Sequence, residues 1–170
     1  LRRTTSELFR MLAVLARRGY VSRQADATYA PTLKLFELAH RQPPVRRLNA
    51  AALPVMQRVA REIGQSIHLS VHYDRRILVV TQVDSPEPMG FSVRLGSHYP
   101  FRDDLASVFV LTAFQPADEQ QRLIEELKAN GLRRGDLRSL HATLAQVRKR
   151  GYYQAPSAVI GGVIELSLPV

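Results

Sequence analysis

Apolar positions Leu8, Met11, Leu12 and Leu15 recur at three- and four-residue spacing, which predicts one buried helical stripe over Thr5 to Arg18. Thr4 or Thr5 is placed to cap that helix, Glu7 sits in its first turn, and Gly19 ends it. Ser6, Arg10, Ala13 and Arg17 fall on the opposite face. Tyr20 to Arg23, a polar tip at Gln24 to Ala27, and Thr28 to Ala30 then read as a short two-stranded hairpin with a basic flank. A second helix is expected from Pro31 to about His40, stopped by Gln42-Pro43-Pro44, because proline lacks an N–H and disfavours helix in the residue before it. Asn49 to Ile63 carries Leu53, Met56, Val59, Ala60 and Ile63 on one side, with Pro54 near its first turn, and Gly64 closes it.

From Ser66 the period changes to two. Ile67, Leu69, Val71 and Tyr73 point one way, and Ser66, His68, Ser70 and His72 the other. Asp74-Arg75 turns the chain into Ile77 to Val83, and Phe91, Val93 and Leu95 alternate beyond a Ser-Pro-Glu-Pro loop. Three strands in succession predict an antiparallel meander. Helices follow from Asp103-Asp104 to Phe114, from Pro116 to about Gly131, and from a cap at Asp136 to Arg150. In the last of these, Arg148, Lys149 and Arg150 suit the helix dipole. Gly162 to Val170 closes the chain as a strand, with Val163, Glu165 and Ser167 on one face and Ile164, Leu166 and Leu168 on the other. The expected fold class is α+β, with helices packed on an antiparallel sheet.

Charge is spread unevenly along this pattern. The 170 residues carry a formal net charge of +9. The first 47 residues hold ten of the 24 Lys/Arg against three of the 15 acids. A basic first quarter on a nearly neutral remainder favours a polyanion-binding end on a separate body, against the plain alternative of a solvated basic face. A helix whose outer face is small, polar and cationic, followed at once by a basic hairpin, is the layout of a winged helix-turn-helix, whose helix enters the major groove. The expected organisation is a recognition helix and wing over 1–30, a linker helix and Pro-Pro joint over 31–47, and a body over 48–170.

Composition removes other classes. The chain is 45% hydrophobic and 23% charged, which is ordinary globular usage, and it has no cysteine, so thiol catalysis and cysteine-built zinc sites are excluded. No apolar run reaches the ~18 residues of a membrane span, and no signal peptide is evident, so a cytoplasmic protein without membrane contact is expected. His68 and His72, four apart in a strand, are separated by about 13 Å and cannot share a metal. Asp103-Asp104 are adjacent residues that do not face each other on a helix, and capping accounts for them better than catalysis. No GxSxG, HExxH, P-loop or GxGxxG occurs. No enzyme activity, cofactor or metal is therefore expected. Glu165 is the acid singled out: on a closed face it would pair a cationic or hydroxylated ligand, and on a wet face it is only a solvated glutamate.

The runs TSELFRMLAVLARRGYV, YAPTLKLFELAH, ALPVMQRVAREIGQSIHLSV, ILVVTQVDS, VRLGSHYPF and GGVIELSLPV resemble, in order and spacing, the IclR (isocitrate lyase regulator) family of bacterial transcription factors. The resemblance covers essentially all 170 residues, as if a longer regulator were cropped at both ends. It implies a winged helix-turn-helix portion, a linker helix, and an antiparallel-sheet domain that binds a small organic effector, often aromatic or carboxylic. It also implies a homodimer or dimer of dimers on double-stranded operator DNA. Carried over by position, Arg2, Arg3, Thr4, Thr5, Ser6, Phe9, Arg10 and Arg23 would meet DNA. Gly96, Ser97, Ala106, Ser107, Val163, Glu165 and Ser167 would line the effector pocket. This chain departs from the family pattern in lacking the two helices expected before the recognition helix, so residues 1–30 alone are not expected to bury Leu8, Leu12 and Leu15. It departs again where relatives read Thr-Ala-Ser-Gly: Leu105 lacks the hydroxyl, and Val108 adds a side chain where glycine allows close backbone approach. The reading from another class is a small-molecule-binding or enzymatic α+β domain whose basic arm serves solubility or dimer contacts.

Overall fold

Thr4 opens the first ordered element as a capping box. Its hydroxyl accepts the Glu7 N–H at 3.4 Å, while the Glu7 carboxylate accepts the Thr4 N–H at 2.9 Å. The computed structural model describes residues 4–41, 43–132 and 136–170, within which there are six helices and seven strands. The chain divides into two compact units, Leu1–Ala51 and Ala52–Val170.

In the first unit, α1 (Thr5–Arg17) is followed by β1 (Val21–Arg23), β2 (Tyr29–Pro31) and α2 (Lys34–Arg41). Gly19, at φ +76, takes the left-handed conformation that ends α1. The hairpin is antiparallel, with Val21 opposite Pro31 and Arg23 opposite Tyr29. Asp26 holds its tip by accepting the Thr28 N–H and hydroxyl, and these bonds keep its carboxyl below the ordinary carboxylate pKa. Thr32 donates to the Gly19 carbonyl and Lys34 Nζ to the Arg18 carbonyl, which tie the start of α2 back to the end of α1.

One expectation fails in this unit. Pro31 ends a strand and does not start a helix; α2 begins at Lys34, where Thr32 Oγ1 accepts the Lys34 N–H. The stripe Leu8, Met11, Leu12 and Leu15 is left open, as expected where residues 1–30 alone must cover it: no described residue of α1 or α2 is buried. A stripe of this kind is buried only when another element lies across it, and none among the described residues of this unit does so.

The third helix, α3 (Pro43–Ile63), overturns the reading of Pro43-Pro44 as a joint. Both prolines lie in its first turn, where N–H groups have no intrahelical acceptor to lose, so the pair starts the helix. Gln42, part of the expected stop, lies outside the described residues. Pro54 sits within α3 and not near its first turn, and Ala52, Met56 and Ala60 are its buried residues. Leu53 and Ile63, expected on the buried side, are exposed.

In the second unit, β3 (Ile67–Tyr73), β4 (Arg76–Val83) and β5 (His98–Pro100) form an antiparallel sheet in that order. The third strand is therefore not Phe91 to Leu95, which pair with nothing in the ladder. Gly96, left-handed at φ +78, turns the chain, and only beyond it does the backbone meet β4, through Gly96 N–H to Val79 O and Val79 N–H to Ser97 O. A bulge between Leu69 and Ser70 breaks the strict alternation of β3. His72, expected on the polar side, meets the Phe101 ring edge-on at 4.7 Å and Glu126 at 3.1 Å, while Tyr73 is exposed.

Three helices supply the core: α4 (Ala106–Ala113), α5 (Ala117–Ala129) and α6 (Leu137–Arg150). Phe109, Ala113, Leu123, Leu127, Leu140 and Leu144 pack with Ile77 of the sheet and Phe101. Asp136 caps α6 by accepting the Ser139 N–H at 2.9 Å, and Gly151 ends it at φ +82. Asp103 and Asp104 do not cap α4, which starts two residues beyond them with Leu105 at the cap position; Asp104 instead pairs with Arg102 at 3.4 Å. An unforeseen strand, β6 (Tyr153–Pro156), pairs with β7 (Ile164–Ser167), which is shorter than the expected closing strand. Tyr153 stacks on Phe109 with centroids 4.4 Å apart and so joins this ribbon to α4.

Candidate functional site

Of the residues expected to meet DNA, Arg2 and Arg3 lie outside the described residues. Thr4, Thr5, Ser6, Phe9 and Arg10 are all exposed on or just before α1, and Phe9 is 60% exposed. Thr4 has its hydroxyl committed to the capping box. Arg23 is exposed on β1, across the hairpin from Tyr29. Arg10, Arg17 and Arg18 are exposed along α1 and at its end, and none is ion-paired among the described residues. The surface of α1 and its hairpin thus combines free guanidinium groups, small side chains and an aromatic ring.

The expected effector residues are brought together in part. Helix α4 has the sequence ASVFVLTA, and its cap residue Leu105 has no side-chain acceptor. Glu165 on β7 caps the helix in its place. Its Oε2 accepts the Ala106 N–H at 3.2 Å, and its Oε1 accepts the Ser157 hydroxyl at 2.5 Å. A carboxylate at a helix N-terminus is favoured both by the unsatisfied N–H and by the dipole. Ala106 is buried, and Ser107, Val163, Glu165 and Ser167 are half-buried. Val108 is fully buried in the core, and Leu105 packs against it. Gly96 and Ser97 are held on β4 through Val79, and neither takes part in the Glu165 hydrogen bonds.

His68 belongs to the same neighbourhood. The residue is exposed to solvent, yet neighbouring protein desolvates it enough to lower its pKa, and the negative charge of Glu165 partly opposes that shift. Sequence reasoning weighed His68 only as a metal ligand and missed Ser157. Among the described residues no group of three His, Cys, Asp or Glu could hold a metal ion.

None of the expected effector residues lines the clearest cavity of this unit. That is a groove of 590 Å³ lined by Arg75, Arg76, His98, Pro100, Arg102 and Asn130. Its His98, Pro100 and Arg102 lie in the chain between Ser97 and Ala106, two of the residues expected to line the pocket.

The family described as bacterial transcriptional regulator IclR, C-terminal, matches residues 44–164. This chain belongs to the IclR family. It is 27% identical over 169 residues to the HTH-type transcriptional regulator KdgR of Escherichia coli K12, covering 97% of this chain and 64% of KdgR. It is 26% identical over 162 residues to the glycerol operon regulatory protein of Streptomyces coelicolor, covering 94% of this chain and 63% of that protein. The chain therefore spans under two thirds of the length of these relatives.

Its fold is that of solved IclR proteins. An IclR homologue from Microbacterium hydrocarbonoxydans, solved in complex with 4-hydroxybenzoate, superposes with a TM-score of 0.79 at 23% identity, over 98% of this chain and 70% of that one. HmgR of Pseudomonas aeruginosa gives 0.76, also at 23% identity, over 98% and 69%. The family resemblance read from the sequence is thereby borne out. Among the described residues no helix is long and apolar enough to cross a membrane.

Proposed function

We propose that this IclR-family chain acts in a ligand-responsive, DNA-binding transcriptional regulator that works in the cytoplasm without catalysis. The observation that carries the reading is the exposed cationic face of α1, whose arginines have no ion-pair partner among the described residues, joined directly to the Arg23 hairpin. In this reading residues 1–30 are the recognition helix and wing of a winged helix-turn-helix, 31–47 the linker and 48–170 the effector domain. Ser6, Phe9 and Arg10 read base edges, while Arg2, Arg3, Thr4, Thr5 and Arg23 meet the backbone. Two copies related by a two-fold axis read two half-sites of a palindromic operator.

The effector is a small organic molecule seated against the N-terminal end of α4, near Ala106, Ser107, Val163, Glu165 and Ser167. Gly96 and Ser97 border the site from the sheet. The 4-hydroxybenzoate complex of a structural neighbour supports an aromatic or carboxylic ligand class. Because Glu165 accepts hydrogen bonds, a hydroxyl or cationic group of the ligand is the end that meets it. The effector acts only through its differential affinity for two arrangements of the dimer, transmitted by residues 31–47.

The test is a salt titration of operator binding by the complete regulator. Each neutralised phosphate should lower log K by about 0.9 per unit of log salt concentration. A flat dependence would overturn the regulator reading in favour of a basic arm that serves other contacts.

A further inference from the structure

We propose a second ligand site in this chain, separate from the effector site, in the groove at the β3–β4 turn. The structure assigns it to a small molecule bearing a phosphoryl group. The groove is open to solvent, with a volume of 590 Å³ between Arg75, Arg76, His98, Pro100, Arg102 and Asn130, and a recess of 160 Å³ that also touches Asp74 shares its Arg76 and His98.

Three features distinguish it from a solvated basic face. The first is rigidity. Asp74 and Arg75 both sit in the left-handed region, at φ +48 and +60, as a tight two-residue hairpin turn requires, and hydrogen bonds tie that turn to the body. Arg75 Nη2 donates to Asn130 Oδ1 at 3.1 Å, and Asn130 Nδ2 donates to the Phe101 carbonyl at 2.8 Å. The second is charge: among the described residues no acid lines the groove itself, Asp74 lining only the recess beside it, and neither Arg75 nor Arg76 has an ion-pair partner, while Arg102 pairs with Asp104. The third is Arg102. Its side chain is 27% exposed, its guanidinium reaches Asp104 only at 3.4 Å through Nη2, and its Nε–H is buried with no acceptor. A buried donor left unmade is costly, and an oxyanion in the groove would supply the acceptor.

The ligand class follows from the lining. Guanidinium groups present paired donors that match a phosphoryl or carboxylate group in the bidentate manner, and a cluster of three favours the more highly charged phosphoryl dianion. The volume falls within the roughly 300–1,000 Å³ of sites for small organic ligands, more than a bare phosphate fills. Apart from Pro100 and the arginine stems the walls are polar, so the remainder of the ligand is polar too.

Calorimetric titration of the full chain with inorganic phosphate and with pyrophosphate, at ionic strength held constant with potassium chloride, tests this. Saturable 1:1 binding is expected, tighter for pyrophosphate. Arg76→Gln and Arg102→Gln should each weaken it roughly tenfold, while Lys149→Gln, in the last turn of α6, should change it by less than about twofold. Arg76 is exposed at the start of β4, so its variant reports on the site even if Arg102→Gln perturbs folding. Absence of saturable binding, or an equal loss in Lys149→Gln that marks an adventitious ion only, would overturn the proposal.

Discussion

Arg10 and His68 show how differently a single side chain can report on this molecule. Arg10 is exposed and unpaired on α1, so its removal leaves no buried partner stranded and should barely change stability. If it reads a base, Arg10→Ala should weaken operator binding by about 1–3 kcal/mol and leave random-sequence DNA much less affected. Equal losses on both duplexes would reassign it to the phosphate backbone.

His68 acts on stability instead. Desolvation lowers its pKa in the folded protein below the ordinary value of roughly 6.5. Between the folded value and that ordinary value the unfolded chain binds more protons, so stability falls as pH falls through this window and levels off beneath it. His68→Gln should flatten that part of the curve. Thermal unfolding of both proteins between about pH 7.5 and 5 measures it, and identical slopes would remove His68 as the cause.

At the scale of elements, α4 is the instructive case, because nothing in its own sequence caps it. Glu165 satisfies Ala106 at one end, and at the other Gln120 Nε2 donates to the carbonyls of Thr112 at 3.0 Å and Ala113 at 3.3 Å. Glu165→Ala strands the Ala106 N–H and the Ser157 hydroxyl and should cost about 1–3 kcal/mol in denaturant unfolding. Glu165→Gln keeps an acceptor and should recover much of that loss; if the two variants are equally destabilised, capping is not what Glu165 contributes.

The long-range character of these caps also explains what could be read from the chain alone. Helices with local signals, such as α1 with Thr4 and Glu7 or α6 with Asp136 and Gly151, appear where their patterns place them. Elements decided by distant partners do not. The start of α4 depends on a carboxylate 59 residues away. The third sheet strand depends on where Gly96 turns the backbone onto Val79, and the β3 faces depend on a bulge that no residue type announces. The candidate site was legible as single residues, Ala106 and Glu165, but their bond was not. Nor was the basic groove, because Arg75, Arg102 and Asn130 converge only through the fold.

For the molecule as a whole, the two units differ most in what they bury. None of the described residues of 4–51 is buried, whereas the second unit encloses Phe101, Val108, Leu123, Leu127 and Val147 almost completely. Local opening is controlled by buried apolar contact, so backbone amides of α1 and α2 should exchange with solvent deuterium by frequent local unfolding, and those of α4 and α5 only through rare, larger openings. A partner that binds the folded form of α1 stabilises it by mass action, by about 2.7 kcal/mol at a ligand concentration 100 times Kd. If α1 reads DNA, adding operator duplex should therefore slow exchange across Thr5–Arg17 by roughly 100-fold at that concentration, with little change in α5. Protection confined to the second unit would contradict the assignment of α1 as the DNA-reading element. Protection equal with operator and random duplex would mean that the helix is ordered by the charge of the backbone and not by the bases.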